Sequence, residues 1–450
     1  MHLKTNGLRH KLQQLTWPIF FETLLIMMLG VVDTTMLSQY SDNSVAAVGV
    51  VNQLLTMIFI LFNVTVTGTS VLCSQYFGCD DVKSFVKVMG VSILFNAVIG
   101  GVISLSLVFF SGTFLQWMDI RPDLMGEAKS YMEIVGGFAF LQALSLTVSA
   151  VMRSANRPKY AMYVTLLVNL LNIVGNYTLI FGKFGMPELG VTGAAMSTSF
   201  CRFVAMTVLF VVLFTRLVNN FSFSLFRPFP WEQLRNLLRI GIPAAGEQFS
   251  YCLSQVVIIY FINILGNEAL AAQAYVRNIV IVGYLFSLSI AQGNAIIVGN
   301  MVGAGKKKVA YLMGLFCLKR TLIITALVSG AVIVVAKPIL GFFTHNPEII
   351  TIAFAAIIVD AFLEQGRAAV LIFLLGLRSA GDVIFPVVLG LFSMWFFAVF
   401  VGHTLGITWG LGLAGMWAAF AMDECFRGAM LMIRWKSKRW MKRRSYSNAA

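Results

Sequence analysis

The stretch that decides the fold is residues 16–40, TWPIFFETLLIMMLGVVDTTMLSQY. It is apolar enough to cross a bilayer, because about 20 apolar residues in an α-helix span ~30 Å of hydrocarbon. It also contains Pro18 and two carboxylates, Glu22 and Asp33. Each ionisable side chain in a spanning helix costs roughly 2.5–3.5 kcal/mol on insertion scales, so both must be offset by partners or by function. The stretch is too long for a signal-peptide core, so we expect a retained helix.

The rest of the chain shares this apolar character. Of its 450 residues, 58% are hydrophobic and 12% are charged, and the mean hydropathy is +0.84. Such values lie far outside the range of soluble globular proteins. We expect 12 transmembrane helices in an all-α integral membrane protein, at residues 16–40, 46–73, 87–111, 128–152, 160–182, 190–215, 237–265, 269–298, 309–336, 348–376, 384–404 and 409–434.

The positions of the basic residues predict the orientation in the membrane. The net charge is +14, and most Lys and Arg residues precede the first helix, fill alternate loops or lie in the tail, residues 435–450. The other loops hold only Arg121, Lys129, Lys183 and Lys337. Because cytoplasmic loops carry the excess of Lys and Arg, we expect a cell-membrane protein with both termini in the cytoplasm. The basic tail is interpreted as a topology signal that contacts anionic lipid, rather than as a nucleic-acid site.

Motifs for catalysis or ATP hydrolysis are missing from the sequence. The 6 cysteines are scattered without a CxxC spacing, and the 4 histidines lie near the ends or in loops. No HExxH motif and no Walker loop occurs. We therefore predict neither an enzyme nor a cofactor, and no disulfide framework.

The sequence contains an internal repeat. A shift of 225 residues, half the chain, aligns features of the two halves without a gap. The aligned residues are Pro18 with Pro243, Glu22 with Glu247, Ala46-Ala47 with Ala271-Ala272, Gly78 with Gly303, Lys83 with Lys308, and Arg153-Ser154-Ala155 with Arg378-Ser379-Ala380. A series of matches at one offset indicates a duplication. Because each half has an even number of helices, both copies enter the membrane from the same side, as in parallel-repeat secondary transporters.

This repeat predicts the domain organisation. Residues 1–217 form an N-lobe with helices 1 to 6, and residues 237–434 form a C-lobe with helices 7 to 12. Residues 218–236 are polar and contain a proline-bearing Arg-Pro-Phe-Pro stretch, so we interpret them as a cytoplasmic linker. Residues 435–450 are the basic cytoplasmic tail. We expect the protein to be a monomer.

Sequence segments along nearly the whole chain resemble the multidrug and toxic compound extrusion (MATE) transporters. No single segment is diagnostic, but their order, spacing and duplication are specific. The segments are WPIFFETLL, VVDTTMLS, VAAVGVVNQ, GTSVLCSQYFG, VMRSANRPKY, NLLNIVGNYTLIFGKFGMPELGVTGAA, GIPAAGEQ, LAAQAYV and LLGLRSAGD. The resemblance implies two six-helix bundles that face each other across a central cleft.

The resemblance also implies site residues in the N-lobe. Asp33 matches the first-helix aspartate that such transporters use as a cation-responsive carboxylate. Asn172 and Asn176 match two polar positions of the fifth helix, and Thr198 matches a threonine of the sixth. In the family these groups are associated with proton or sodium binding.

The residues themselves also place polar groups together in the N-lobe. Glu22 and Asp33 are eleven residues apart and so share one helix face, about 16 Å apart along the axis. Thr165, Asn169, Asn172 and Asn176 form a polar stripe on the fifth helix. Such asparagines can bond neighbouring helices or line a wet cavity. Their oxygens beside one carboxylate could hold Na+, or Asp33 could exchange a proton, and the sequence does not choose between the two ions.

Arg202 complicates this prediction, because it lies four residues beyond Thr198 on the same helix face. If Arg202 pairs with Asp33 or Glu22, the cavity keeps a single negative charge. Asp33 would then be a structural partner rather than a proton carrier.

Charged residues are predicted to line a polar cavity in the C-lobe as well. Asp360, Glu364 and Arg367 recur at i, i+4 and i+7 on the tenth helix. By depth, Glu247 would pair with Arg367 and Asp360 with Arg277, and mutual neutralisation would lower the cost of each charge.

Two further comparisons concern the C-lobe. Where some branches of the family carry coupling acids in the seventh and tenth helices, this chain has Tyr251 and Arg367, so that coupling site cannot be transferred. On the last helix, Asp423 and Arg427 are spaced as a structural ion pair.

The leading hypothesis is a secondary active antiporter that exports amphipathic, cationic organic compounds in exchange for H+ or Na+ by alternating access. The alternative is a lipid-linked precursor flippase of the same superfamily. A flippase cavity would be strongly cationic, whereas the predicted intramembrane carboxylates outnumber the arginines here. An intramembrane enzyme would need a paired metal-binding or nucleophilic motif, which the chain lacks.

Overall fold

A computed structural model describes residues 2–218, 227–442 and 446 of the chain. The described residues are almost entirely helical. Twelve long helical segments follow one another: α1 His2–Ser38, α2 Asp42–Gly78, α3 Val82–Phe109, α4 Met125–Gly136 with Ala139–Ser154, α5 Pro158–Ile180, α6 Gly190–Arg216, α7 Trp231–Ile264, α8 Asn267–Gly303, α9 Lys307–Phe343, α10 Pro347–Ser379, α11 Ile384–Thr408 and α12 Gly412–Lys436.

Each of these helices coincides with one of the predicted spans, so the predicted all-α, twelve-helix membrane fold is confirmed. In the described residues, 9 helices are long and apolar enough to cross a membrane, and the two parts of α4 make a tenth. The other two, α7 and α12, are less apolar, because α7 carries Glu247 among uncharged polar residues and α12 carries the Asp423–Arg427 stretch. Glu247, Asp423, Glu424 and Arg427 lie in ion pairs described below.

The break in α4 has a local cause. Its two parts meet at an angle of 44° around Gly137 and Phe138. The turn just before the break, Met132–Gly136, is π-helical. Such turns leave backbone carbonyls without their usual helical partner and are common causes of sharp bends.

The chain divides into two compact units. The N unit comprises Trp17–Cys73 and Asp81–Ile242, and the C unit comprises Met1–Thr16, Ser74–Asp80 and Pro243–Ala450. The predicted lobe boundaries at 217 and 237 stay a prediction. Residues 219–226 of the predicted linker lie outside the described residues.

Each unit has its own apolar core. In the N unit, Leu37, Phe62 and Leu115 are among the buried residues of one continuous cluster. In the C unit, Ile262 and Trp417 belong to the corresponding cluster. The packing of each core holds the helices of its unit in place, and with them the polar side chains described below.

Within the C unit, the last turns of α2 and α8 cross at two glycines. A Cβ atom at Gly78 would lie 2.0 Å from the carbonyl oxygen of Asn300, and one at Gly303 would lie 1.9 Å from the carbonyl oxygen of Gln75. Gly78 and Gly303 are 225 residues apart, as are Gln75 and Asn300. The two contacts are therefore copies of one another, and only glycine allows the helices to approach so closely.

The start of the basic tail packs against the C unit. Trp440 is buried and stacks on Trp435 at the end of α12, with 4.4 Å between the ring centroids. Lys307 Nζ donates to the carbonyl oxygen of Met441 at 2.9 Å. Residues 443–445 and 447–450 of the predicted tail lie outside the described residues.

Candidate functional site

The N unit brings together three of the predicted site residues. Asn176 Nδ2 on α5 donates to Asp33 Oδ1 on α1 at 2.5 Å and to Asn172 Oδ1 at 3.1 Å. Asn172 and Asn176 are buried and Asp33 is half-buried. A carboxylate inside a spanning helix is thus bonded by amide groups of a neighbouring helix. Such bonds offset part of the free energy that an ionisable side chain costs in the membrane.

Two atoms of this cluster have no partner within hydrogen-bond distance among the described residues. They are Asn172 Nδ2 and Asn176 Oδ1, and both are buried. A buried polar atom without a partner costs about 1–3 kcal/mol. Native proteins keep such atoms where they serve binding or switching, so the cluster around Asp33 is a candidate site for an ion.

The other two asparagine-stripe residues are bonded differently. Asn169 Nδ2 donates to the carbonyl oxygen of Thr165 at 2.8 Å, and Thr165 Oγ1 donates to that of Ala161 at 3.0 Å. Both bonds stay within α5. The structure therefore joins Asn172 and Asn176 to Asp33, but it does not join Asn169 to it by a direct hydrogen bond.

The residue of α6 whose side chain contacts α5 is Ser197, whereas Thr198 was predicted. Ser197 Oγ donates to the carbonyl oxygen of Asn172 at 3.5 Å. A Cβ atom at Gly175 would lie 2.4 Å from Ser197 Oγ, so the two helices are close at this height. Thr198 is half-buried and makes no side-chain hydrogen bond in the part of the chain that the structure describes. Sequence reasoning missed Ser197 because the sequence does not give the rotation of α6 about its axis. Without that rotation, it is not known which of two adjacent hydroxyl residues faces α5.

Arg202 forms no ion pair with Asp33 or Glu22. Its Nη1 donates to the carbonyl oxygen of Val135 at 3.3 Å, and its guanidinium lies 5.5 Å from the ring centroid of Phe59. Val135 belongs to the π-helical turn of α4, whose carbonyl is available for this bond. The charge of Arg202 acts on Asp33 only through space. Asp33 therefore has no direct cationic partner among the described residues.

Tyr131 and Asn52 extend the cluster and were missed by the sequence analysis. Tyr131 is buried, and its hydroxyl donates to Asn52 Oδ1 across 3.5 Å. Tyr131 lies close enough to interact electrostatically with Asp33 and Arg202. Asn52 stands in the VAAVGVVNQ segment, but nothing in the pattern indicates that α4 would bring a tyrosine to it.

Glu22 lies in an ion pair instead. Its Oε1 is 2.6 Å from Nη1 of Arg153, in the last turn of α4. Glu247 Oε2 is likewise 2.5 Å from Nη2 of Arg378, in the last turn of α10. The expected pairing of Glu247 with Arg367 is therefore wrong. Both arginines lie just beyond the predicted spans, which end at residues 152 and 376, whereas in the structure each lies in the last helical turn and reaches a buried carboxylate.

Arg367 belongs to a network between α10 and α12. Its Nη1 bonds Glu364 Oε1, one turn earlier on the same helix, and its Nε lies 3.7 Å from Glu424 Oε1. Arg427 Nη2 lies 2.9 Å from Glu424 Oε1 and 3.2 Å from Asp423 Oδ2. The predicted pair of Asp423 and Arg427 is confirmed. The close approach of α10 and α12 lets Glu424 reach both arginines.

Asp360 and Arg277 do not pair, which corrects the second pairing expected from depth. Asp360 is 3% exposed and lines a small cavity of 10 Å³ with Glu364 and Ser329. Its Oδ1 has no hydrogen-bond partner. Arg277 is exposed and lines a different, larger cavity. Equal depth on two helices does not make Asp360 and Arg277 a pair, because their side chains face different cavities.

This larger cavity, the C-unit cavity, has a volume of 390 Å³. Helices α7, α8, α10, α11 and α12 contribute to it. Its charged lining residues are Glu247, Arg277, Arg367, Arg378, Glu424 and Arg427. In the N unit, an apolar cavity of 610 Å³ is lined by aromatic and methionine side chains, among them Phe138, Phe200 and Met206. Both volumes suit drug-sized molecules.

No cluster of three or more His, Cys, Asp or Glu residues that could hold a metal ion occurs in the described ranges. The oxygen atoms of Asp33 and of its amide neighbours are the candidate ligands for a cation in the N unit. One carboxylate beside neutral amides is compatible with Na+ or a proton.

Comparison with known proteins covers almost the whole chain. The uncharacterized transporter YisQ of Bacillus subtilis is 42% identical, over 95% of this chain and 94% of its own. The probable multidrug resistance protein NorM of Thermotoga maritima is 28% identical, over 97% and 94%. A crystal structure of the Vibrio cholerae MATE transporter VcmN has a TM-score of 0.89 at 18% identity, over 97% and 98%, which shows the fold. The MatE family model matches residues 18–178 and 243–404. The chain therefore belongs to the MATE family of multi-pass membrane transporters, which are not enzymes.

Proposed function

We propose that this transporter is a secondary active antiporter that exports amphipathic, cationic organic compounds in exchange for H+ or Na+. The observation that carries the proposal is the carboxylate of Asp33, held by Asn176 within the membrane without an ion pair among the described residues. A group with these properties can bind either a coupling cation or a cationic substrate. Competition between the two for one site couples their movement by alternating access.

One feature of the geometry supports H+ over Na+ as the coupling ion. Asn176 presents its amide nitrogen to Asp33, so its oxygen points away from the carboxylate. Sodium binding by Asp33, Asn172, Asn176 and Thr198 would require the Asn176 amide to rotate, so that its oxygen replaces its nitrogen. A proton requires no such rotation, because it can bind the second carboxylate oxygen while Asn176 keeps its bond to the first. The arrangement favours proton coupling.

The organic substrate class follows from the apolar cavity and from the relatives. The N-unit cavity is lined by rings and thioethers, which accept varied hydrophobic shapes and attract cations. Relatives such as NorM are named as multidrug resistance proteins. We propose that the protein lies in the cell membrane as a monomer, with both termini in the cytoplasm and its basic tail against anionic lipid.

A lipid-linked precursor flippase is the weaker candidate. Its pyrophosphate substrate would favour several unpaired cations in one cavity. In the C-unit cavity, Arg367, Arg378 and Arg427 each contact a carboxylate, so their charges are neutralised in place.

Transport by the purified protein tests the proposal. The full chain is reconstituted in liposomes, and accumulation of the fluorescent cation ethidium is followed under a proton gradient or a sodium gradient imposed separately. We expect transport under the proton gradient that stops when an ionophore collapses it, and none in protein-free liposomes. Transport that is indifferent to both gradients would contradict an ion-coupled antiporter.

A further inference from the structure

The C-unit cavity has an unusual distribution of charge. Four arginines and two glutamates line it. Both glutamates are already in contact with arginines, Glu247 with Arg378 and Glu424 with Arg427. A cation that enters this cavity would therefore meet no carboxylate without a partner.

Three of the four arginines are likewise occupied. Arg367 contacts Glu364 and Glu424, and Arg427 contacts Asp423 and Glu424. Their mutual neutralisation lowers the cost of holding charges within the membrane. These pairs form a wall of the cavity on which each positive charge already faces a carboxylate.

Arg277 is the exception. It makes no ion pair, hydrogen bond or cation–π contact with any described residue, and its side chain is exposed where it lines the cavity. It lies ten residues into α8, which is about 15 Å along the helix axis from its first residue. An arginine at such a depth normally has a partner. A guanidinium carries five N–H donors in a planar fork that matches a carboxylate.

The other lining residues indicate what the rest of a ligand with a carboxylate on Arg277 would be. Apolar side chains from α8 and α10, including Val280, Ile281 and Leu371, line the same cavity. Tyr251 and Tyr284 add aromatic faces with hydroxyl donors. A ligand that satisfies both parts has an aromatic or aliphatic body and a single anionic group.

We propose that the C-unit cavity binds amphipathic organic carboxylates, with the carboxylate on Arg277 and the apolar body against the surrounding side chains. That these carboxylates are exported rests on the proposed function. That they bind at Arg277 does not depend on it. The protein would then bind acidic compounds in its C unit, in addition to the cations proposed for its N unit.

Direct binding tests the inference. The full chain is purified into lipid nanodiscs, and binding of radiolabelled 2-naphthoate is measured by scintillation proximity. Its methyl ester, which has the same ring system without the charge, is the competitor. The variants are Arg277→Gln, Arg277→Lys and the matched control Arg320→Gln, an arginine on α9 that stacks on Phe316 and does not line the cavity.

We expect Arg277→Gln to weaken naphthoate binding about tenfold or more, because a charge-assisted hydrogen bond is lost. Arg277→Lys should have an affinity between those of wild type and Arg277→Gln, because lysine keeps the charge but not the planar fork, and Arg320→Gln should equal wild type. The ester should compete at least about tenfold more weakly than unlabelled naphthoate. Wild-type affinity in a monodisperse Arg277→Gln variant, or equal competition by the ester, would overturn the inference. Naphthoate binding without ion-driven ethidium transport would refute the export function alone.

Discussion

Glu22 and Arg153 form an ion pair with 2.6 Å between their charged atoms, and the same pair recurs between Glu247 and Arg378 at 2.5 Å. Each residue of the second pair lies 225 positions after its counterpart. The duplication thus preserved a carboxylate on the first helix of each repeat and the arginine that neutralises it. Since Asp33 has no such counterpart, as Ile258 stands at the equivalent position, the carboxylate that distinguishes the N unit is Asp33.

Replacing one partner of the repeated pair should destabilise the protein. In Glu22→Gln, the half-buried Arg153 loses its counter-charge, and breaking a buried pair from one side costs about 3–5 kcal/mol. Because the Arg153 side chain is 19% exposed, we expect the lower end of that range. The double variant Glu22→Met/Arg153→Met should lose less stability than Glu22→Gln. Unfolding in mixed micelles, followed by circular dichroism, measures both; a double variant less stable than the single one would contradict the pairing.

The crossing of α2 and α8 makes a second prediction. In Gly78→Ala, the added methyl group would lie 2.0 Å from the carbonyl oxygen of Asn300, which is backbone and cannot move aside cheaply. We expect a loss of about 1–3 kcal/mol or more, as for other overpacked sites. The control is Gly101→Ala, where no atom lies within 4 Å of the added group. Equal melting temperatures for the two variants would show that the helices do not approach so closely.

The prediction for the amide cluster separates two asparagines on one helix. Asn176→Ala removes the donor that holds Asp33, whereas Asn169→Ala removes a bond to the carbonyl of its own helix. We expect Asn176→Ala to lower gradient-driven ethidium transport about tenfold or more, since a hydrogen bond to a charged group is worth about 1.5–3 kcal/mol. Transport by Asn169→Ala should stay within about twofold of wild type, because the bond that is lost is a local one to the backbone of the same helix. If both variants lose transport equally, the cluster acts only as helix packing.

The fold could be predicted from the sequence because the bilayer imposes strong constraints. Each predicted span meets a helix in the structure, and even α7 and α12, which carry charges, were predicted from their apolar runs. The pairing of Glu22 with Arg153 was also visible in principle, because both residues recur at one offset. It was missed because the predicted span ends at residue 152, whereas the helix continues to Ser154 and so includes Arg153.

The side-chain partners in the C unit could not be predicted from depth alone. Depth along a helix specifies one coordinate, but pairing also depends on rotation about the axis and on which helices are adjacent. Arg367 could bond Glu364 on its own helix and Glu424 on α12, and both were nearer than Glu247. The same limit hid Tyr131, whose approach to Asn52 depends on the path of α4.

The most direct measurement of the central claim is ethidium transport by Asp33→Asn under an imposed proton gradient. The matched control is Asp123→Asn, which changes an exposed carboxylate whose ion-pair partner is Arg121 on the surface. We predict that Asp33→Asn abolishes gradient-driven transport although the variant folds as well as wild type, and that Asp123→Asn transports normally. Full gradient-driven transport by Asp33→Asn would contradict the assignment of Asp33 as the coupling carboxylate.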